Sequence, residues 1–355
     1  ARRCGFPGAI RDDGAMLPGA RDRVDAQLSG RLKAVAGWRR GHLAASIVDL
    51  SVGPAVRYAV ANESDASRLF EIGSITKGLT GLLLADAIER DEIRLRTTVA
   101  EILPEAVGTA LGSVTVTQLC THTSGLPRLA RSPATVWRGM RYAYVGLDPY
   151  RGLTPERVLD VATRQRLRRP EYFRYSNLGA AVCGQLVARA AGLDYPTLLH
   201  QRVLAPLAMT DTGISDHTCT APAGRSGFGM WRQPWIMDGY APAGGVISTI
   251  TDMSRLAAGL LTNSAPGMEA LKEIEGVRSS VRGRKRGMFW VIDEQAKAGQ
   301  PRIWHNGATG GYSAFLVLVP ETRRAVIVLS GVSRASRTTR IAADLAASIS
   351  AGDRV

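Results

Sequence analysis

Ser74 and Lys77 stand three residues apart in the run Ser74-Ile75-Thr76-Lys77. On a helix, positions i and i+3 share a face, so this hydroxyl and this amine can touch. A serine hydroxyl is a poor nucleophile until a base takes its proton. A lysine can be that base when burial and a helix N-terminus lower its pKa. The sequence from Leu79 to Ile88 is nearly all apolar apart from Asp86, which supplies the burial. The backbone amides at such a helix start lack intrahelical partners, and that of Ser74 can point at a developing oxyanion. Taken alone, the pair reads better as a serine cap beside a solvated lysine, because S-x-x-K is common.

Two further groups have matching chemistry. Tyr175-Ser176-Asn177 lies about a hundred residues on, at the head of another helix-like stretch. A tyrosine next to an ammonium can act as general acid or base, and Lys77 is a candidate neighbour. The Asn177 amide can hold Lys77 and a substrate carbonyl together. The plain alternative is a core tyrosine followed by an asparagine cap. His305-Asn306-Gly307-Ala308 then leads through Thr309-Gly310-Gly311 into a β-prone run. A strand with glycine lets a substrate backbone come close. The Ala308 N–H can complete an oxyanion pair with that of Ser74, and His305 would supply a positive or proton-donating group. A glycine-rich hairpin with a chance histidine is the alternative here.

The elements that must carry these groups follow from periodicity. Val24, Leu28, Leu32 and Val35 recur at helical spacing, predicting an N-terminal helix. Residues 43–50 and 55–61 read as a hairpin, and Ser74 to Arg90 as a buried helix. Helical segments are predicted over 153–163 (capped by Thr154-Pro155), 177–191 and 195–204. Thr249 to Asp252 has a capping-box pattern before a helix ending near Leu261. Residues 312–319 and 325–329 form a second hairpin, and Ile341, Leu345 and Ile349 mark a last helix. Strands at both chain ends with helices between them predict an α+β fold. Residues 1–90 and 235–355 build one sheet domain, 91–234 form a helical insert, and the site lies between them.

Composition sets outer limits. The chain has 355 residues, 45% of them hydrophobic and 21% charged, a globular balance. It has no apolar run of about 18 residues that could span a membrane. The net charge of +14 comes almost wholly from arginine. It permits an anionic partner, but the basic residues are scattered, and no nucleic-acid motif accompanies them. The dense run Arg278–Arg286 reads as an exposed loop. Cys4, Cys120, Cys183 and Cys219 form no C-x-x-C pair, so no metal or dithiol site is expected. Cys120 and Cys183 read as buried. Nothing in the sequence supports pairing Cys4 with Cys219.

Taken together, the order S-x-x-K, Y-x-N, [KH]-x-G resembles the serine β-lactamase and penicillin-binding-protein superfamily. More narrowly, it resembles the branch of class C β-lactamases, D-alanyl-D-alanine carboxypeptidases and family VIII esterases. Phe70-Glu71-Ile72-Gly73, the run from Thr121 to Pro127, Pro206 to Thr210, and Pro242 to Thr249 extend the likeness over about residues 20 to 350. It implies a β-lactamase/transpeptidase-like fold, with an antiparallel sheet flanked by terminal helices. It also implies a serine hydrolase that forms an acyl-enzyme on an ester or amide without a cofactor. The substrate would be a β-lactam, a D-amino-acid peptide or a carboxylic ester. Ser74 would be the nucleophile, with Lys77 and Tyr175 moving its proton. Ala308, Asn177, His305, Asn306 and Gly307 would bind the oxyanion and substrate. His122 and the Gly244-Gly245 segment would be structural.

Three departures qualify the resemblance. His305 replaces the lysine of class C β-lactamases, which favours peptidase-like and esterase-like chemistry. Asn306 stands where threonine is frequent, and Glu171 where glycine is commoner. An acyltransferase on the same site, or a non-catalytic protein binding wall fragments, are the competing functions. No signal-peptide h-region follows Ala1 to Phe6. The likeness leans toward an exported bacterial protein, while the oligomeric state stays open.

Overall fold

The structure is a computed structural model. It describes residues 21–36, 41–52, 55–61, 64–268, 277–278, 285–294 and 300–350. Its centre is a nine-stranded sheet drawn from both ends of the chain. The N-terminal part contributes β1 (Arg21–Val24), β2 (Leu43–Asp49) and β3 (Ala55–Ala61). Two short strands, β4 (Phe70–Glu71) and β5 (Gly213–Ile214), lie outside it, as does the hairpin β6 (Gly224–Arg225) and β7 (Trp231–Arg232). β8 (Val246–Ser248) pairs with both β4 and β5 in a small three-stranded sheet. The C-terminal part supplies β9 (Val277–Arg278), β10 (Lys285–Gly287), β11 (Trp290–Asp293), β12 (Arg302–Ala308), β13 (Ser313–Val319) and β14 (Arg324–Ser330). The order of the large sheet is β1-β3-β2-β14-β13-β12-β11-β10-β9. All its pairs are antiparallel except β1 with β3.

Side-chain alternation along the central strands separates two cores. Ala45 and Ile47 of β2, Phe315 and Val317 of β13, and Val326 and Val328 of β14 face one side. There Leu28 and Leu32 of α1 (Ala26–Ala36) and Ile341 and Leu345 of the last helix cover them. Ala44 and Val48, Leu316 and Leu318, and Ile327 and Leu329 face the larger core on the other side. α1 begins later than its period suggests: Val24 belongs to β1 and is exposed, because pairing with β3 claims its backbone.

The larger core is filled by helices from the middle of the chain. α2 (Thr76–Glu89) is buried from Thr76 to Ala87. α3 (Val99–Ile102) and α4 (Val116–Cys120) follow, then α5 (Pro133–Val145), which the sequence reading had not marked as a helix. α6 (Pro155–Thr163) starts at the Thr154 cap, and α7 (Asn177–Ala190) is buried on every side. α8 (Tyr195–Leu199) loosens into a π-turn over His200–Leu204. α9 (Ala241–Gly244) and α10 (Ile250–Leu261) return the chain to the sheet, and α11 (Ala335–Ser350) closes it.

Thr249 caps α10 through the Asp252 N–H, but the Asp252 side chain does not bond back. It turns away to accept from Thr212, the Asp211 N–H and Arg255 instead. The ends of the basic run lie in β9 and β10 rather than a loop, with Lys285 opposite Arg278; residues 279–284 lie outside the described set. Cys120 and Cys183 are buried free thiols. Pairing of Cys4 with Cys219 falls outside the description, since Cys4 does.

Candidate active site

Ser74 sits in a 3-10 turn, Gly73–Ile75, that runs directly into α2. The turn is pressed against β12. Gly73 has φ +52°, and a Cβ there would come within 2.8 Å of the Ala308 nitrogen. A Cβ on Gly307 would overlap the Ile72 carbonyl. Both glycines are therefore required for the two backbones to meet. Ser74 is partly exposed while Lys77, one turn on, is fully buried. Lys77 Nζ donates to Ser74 Oγ at 3.0 Å and to the Ala243 carbonyl at 2.5 Å. Burial pulls the Lys77 pKa down, and Arg128 adds to this, while Tyr175 opposes it. The fall favours the neutral amine that a base requires.

Tyr175 arrives from a different direction. Its segment is clamped by the turn that follows α4. The Arg174 N–H donates to the His122 carbonyl at 2.7 Å, and the Glu171 N–H to that of Thr123 at 2.7 Å. The Ser176 N–H donates to His122 Nδ1 at 3.3 Å. His122 thus keeps its proton on Nε2, which is buried without a partner. Its ring lies 4.6 Å from that of Tyr175, and burial with Lys77 nearby holds it neutral. Lys77 Nζ lies 5.0 Å from the centre of the Tyr175 ring, and the Arg128 guanidinium 5.6 Å. Asn177 differs from expectation. Its side chain engages Tyr150, and its Oδ1 has no partner. Lys77 is held by Ser74 and Ala243 instead of by Asn177.

β12 outruns its neighbour β11, whose pairing ends at Trp304. Beyond that point its outer edge faces the Ser74 turn. The Thr309 N–H bonds inward to the Tyr312 carbonyl. By the alternation of an antiparallel ladder, the Ala308 N–H then points outward to the free edge. His305 and Gly307 share one face of β12. Asn306 alternates to the other, opposite Phe315, so its side chain does not line up with Lys77. His305 is buried, and its Nδ1–H donates to the Asn306 carbonyl at 2.8 Å. Burial, then the Lys77 charge, lower its pKa to about 3. Burial thus favours the neutral imidazole of His305 over the positive form.

Several groups at the site carry no local sequence signal. The Ala243 carbonyl comes from a segment that looked like a mere wall. Glu71, three residues before Ser74, is buried and accepts the Trp235 N–H at 2.6 Å. Desolvation raises its pKa to about 7, despite that bond. Asp148 accepts the adjacent Ile236 N–H at 2.6 Å, and burial raises it to about 6. The two carboxyls fix Trp235, which packs against Tyr142 and Tyr150. Trp235 also stands where a Cβ on Gly310 would be, two residues past Ala308. Among the described residues, no cluster of three or more His, Cys, Asp or Glu could hold a metal. No described helix is long and apolar enough to cross a membrane.

Comparison with known proteins bears on the family and the fold. A family model described as Beta-lactamase matches residues 34–350. A Beta-lactamase of Escherichia coli (strain K12) is 23% identical over 300 residues, covering 74% of this chain and 75% of its own. The D-alanyl-D-alanine-carboxypeptidase/endopeptidase AmpH of the same strain is 25% identical over 278 residues, covering 70% and 67%. The crystal structure of a D-stereospecific amidohydrolase from Streptomyces sp. superposes with a TM-score of 0.75 at 19% identity, over 90% of this chain and 98% of that one.

Proposed function

The chain belongs to the beta-lactamase family and is a serine hydrolase of that family's fold, and we propose that Ser74, Lys77 and Tyr175 carry its acyl-transfer chemistry. The observation behind this is the buried Lys77 amine 3.0 Å from the hydroxyl of Ser74, the one residue of the Gly73–Ile75 turn that is not buried. In its neutral form Lys77 takes the Ser74 proton across that contact. Ser74 Oγ then bonds to the substrate carbonyl carbon, and the carbonyl π-pair moves to oxygen. The N–H groups of Ser74 and Ala308 receive that oxyanion. Collapse breaks the bond to the leaving group, which takes a proton relayed through Lys77 and Tyr175. Water then attacks the acyl-enzyme with the same groups acting in reverse. His122 is a positioning residue, since it holds the Tyr175 segment and not the substrate.

The neutral His305 bears on substrate choice. A carboxylated substrate gains from a fixed cation at this place, and an imidazole with a pKa near 3 supplies none. His305 thus adds no preference for a carboxylate, and the proposed substrates are a carboxylic ester, a β-lactam or a D-amino-acid peptide. The helical segment 91–234 and the sheet portions before and after it form the two walls.

The decisive experiment is intact-mass spectrometry after exposure to a panel of esters, β-lactams and D-Ala peptides. Wild-type protein gains the mass of an acyl group and turns over a chromogenic ester. Ser74→Ala gains none and falls to background. Equal turnover by that variant would overturn the assignment.

A further inference from the structure

α5 is built inside out. None of its thirteen residues is buried. The face it turns to the protein carries Thr135, Arg138 and Tyr142, which are half-buried. Its apolar stripe faces outward: Val136, Trp137, Met140 and Tyr144 fall within one sector of about 100° at helical spacing, and all are exposed, Tyr144 by 87%. A surface helix normally shows the reverse arrangement.

A second apolar segment adjoins it. The β6–β7 hairpin holds out Phe228, 91% exposed, with Met230 and Trp231. Arg232 Nη1 of that hairpin donates to the Tyr142 carbonyl at 3.1 Å, and the Gln233 N–H to that of Gly146 at 3.4 Å. The two segments thus meet at the C-terminal end of α5. They are backed there by Trp235, on the side of the site next to Gly310.

The charge on this surface has one sign. Residues 128–147 and 217–237 contain no Asp or Glu, while Arg141 and Arg225 lie against the apolar groups and Arg131 and Arg232 lie in the same two segments. Arg141 stacks on Trp137 at 4.6 Å, and Arg225 on Trp231 at 3.8 Å. Exposed aromatics and aliphatics among arginines, without carboxylates, match the boundary between anionic headgroups and acyl chains. Two copies of the patch would set arginine against arginine, which disfavours self-pairing. The stacked arginines already occupy ring faces of Trp137 and Trp231, and bases have no use for Val136 or Met140, which disfavours nucleic acid. We propose that this surface docks the protein on an anionic phospholipid bilayer, with the mouth of the active site beside the lipid.

Co-sedimentation tests this with vesicles of phosphatidylcholine and phosphatidylglycerol against phosphatidylcholine alone. The wild type is expected to pellet with the anionic vesicles. The triple variant Trp137→Ser, Tyr144→Ser, Phe228→Ser keeps every arginine, so it isolates the apolar contribution. Its partition should weaken about tenfold or more, with hydrolysis of a soluble ester unchanged. That unchanged rate also certifies its fold and keeps the result separate from the identity of the nucleophile. In the wild type, lipids brominated on their acyl chains should quench tryptophan emission, a readout needing no variant. Undiminished pelleting by the triple variant would mean general cationic attraction and overturn the proposal. So would absence of quenching, a dimer abolished by the same substitutions without lipid, or equally tight binding to a soluble polyanion lost in that variant.

Discussion

At the scale of single residues, Lys77 has the most demanding position. A fully buried amine in a core of leucine and alanine is held by Ser74 Oγ and the Ala243 carbonyl, with the Tyr175 hydroxyl as a further partner. Desolvation disfavours its charged form, and the proposed role as base depends on that. Lys77→Met should therefore lower the acylation rate by about 10²–10⁴-fold. It should change stability much less, because the methionine keeps the volume and, of the oxygens that lose the amine, the partly exposed Ser74 hydroxyl can turn to water, while the buried Ala243 carbonyl costs about 1–3 kcal/mol. Single-turnover acylation by a chromogenic ester, read beside a thermal melt, checks both; an unchanged acylation rate would remove Lys77 from the proton path. Ser74 and Lys77 were legible in sequence because their contact is local to one helical turn. The Ala243 carbonyl was not, since a backbone oxygen 166 residues away has no residue type to announce it.

At the scale of elements, the loop between α6 and α7 shows how a departure is accommodated. Glu171 has φ +73°, in the left-handed region, and its N–H still bonds to the Thr123 carbonyl. Holding a side chain there costs about 1–2 kcal/mol, more than the about 0.4–1 kcal/mol of extra chain entropy that glycine brings to the unfolded state. Glu171→Gly should raise stability by about 0.5–1 kcal/mol, measured as a higher urea midpoint with unchanged slope and unchanged ester hydrolysis. A lower midpoint would show that the Glu171 side chain makes a compensating contact. The sequence reading identified the unusual residue but had no dihedral to explain it. α5 has an apolar stripe at helical spacing too, but only the structure shows that the stripe faces outward.

At the scale of the whole molecule, buried titratable groups of opposite kind bound the pH range of stability. The folded pKa of His305, about 3, lies below its ordinary 6.5. Its contribution is present above pH 6.5 and is lost as pH falls toward 3, because the unfolded chain takes the proton more readily. Glu71 moves from 4.5 up to about 7. Its contribution is present below pH 4.5 and is lost as pH rises through 7. Asp148, raised from 3.8 to about 6, acts in the same direction. Between pH 4.5 and 7 the two carboxyls outweigh the histidine, so these three groups together should lower the melting temperature as pH rises across that range. Glu71→Gln keeps an acceptor for the Trp235 N–H and should gain about 3 kcal/mol above pH 7, with no gain below pH 4.5. A pH series of thermal melts decides it, and a gain independent of pH would point to packing instead. Sequence by itself determined the family likeness and the α+β architecture, and it singled out Ser74, Lys77 and Tyr175 as candidates, because helical spacing, strand alternation and chain order are local or linear properties. Only the tertiary structure decided what surrounds Ser74 and Lys77: the Ala243 carbonyl, the His122 support of Tyr175, the outward Ala308 N–H, the neutral His305 and the Glu71 anchor. Each arises where segments distant in the chain exclude water from one another, and neither residue type nor period records that.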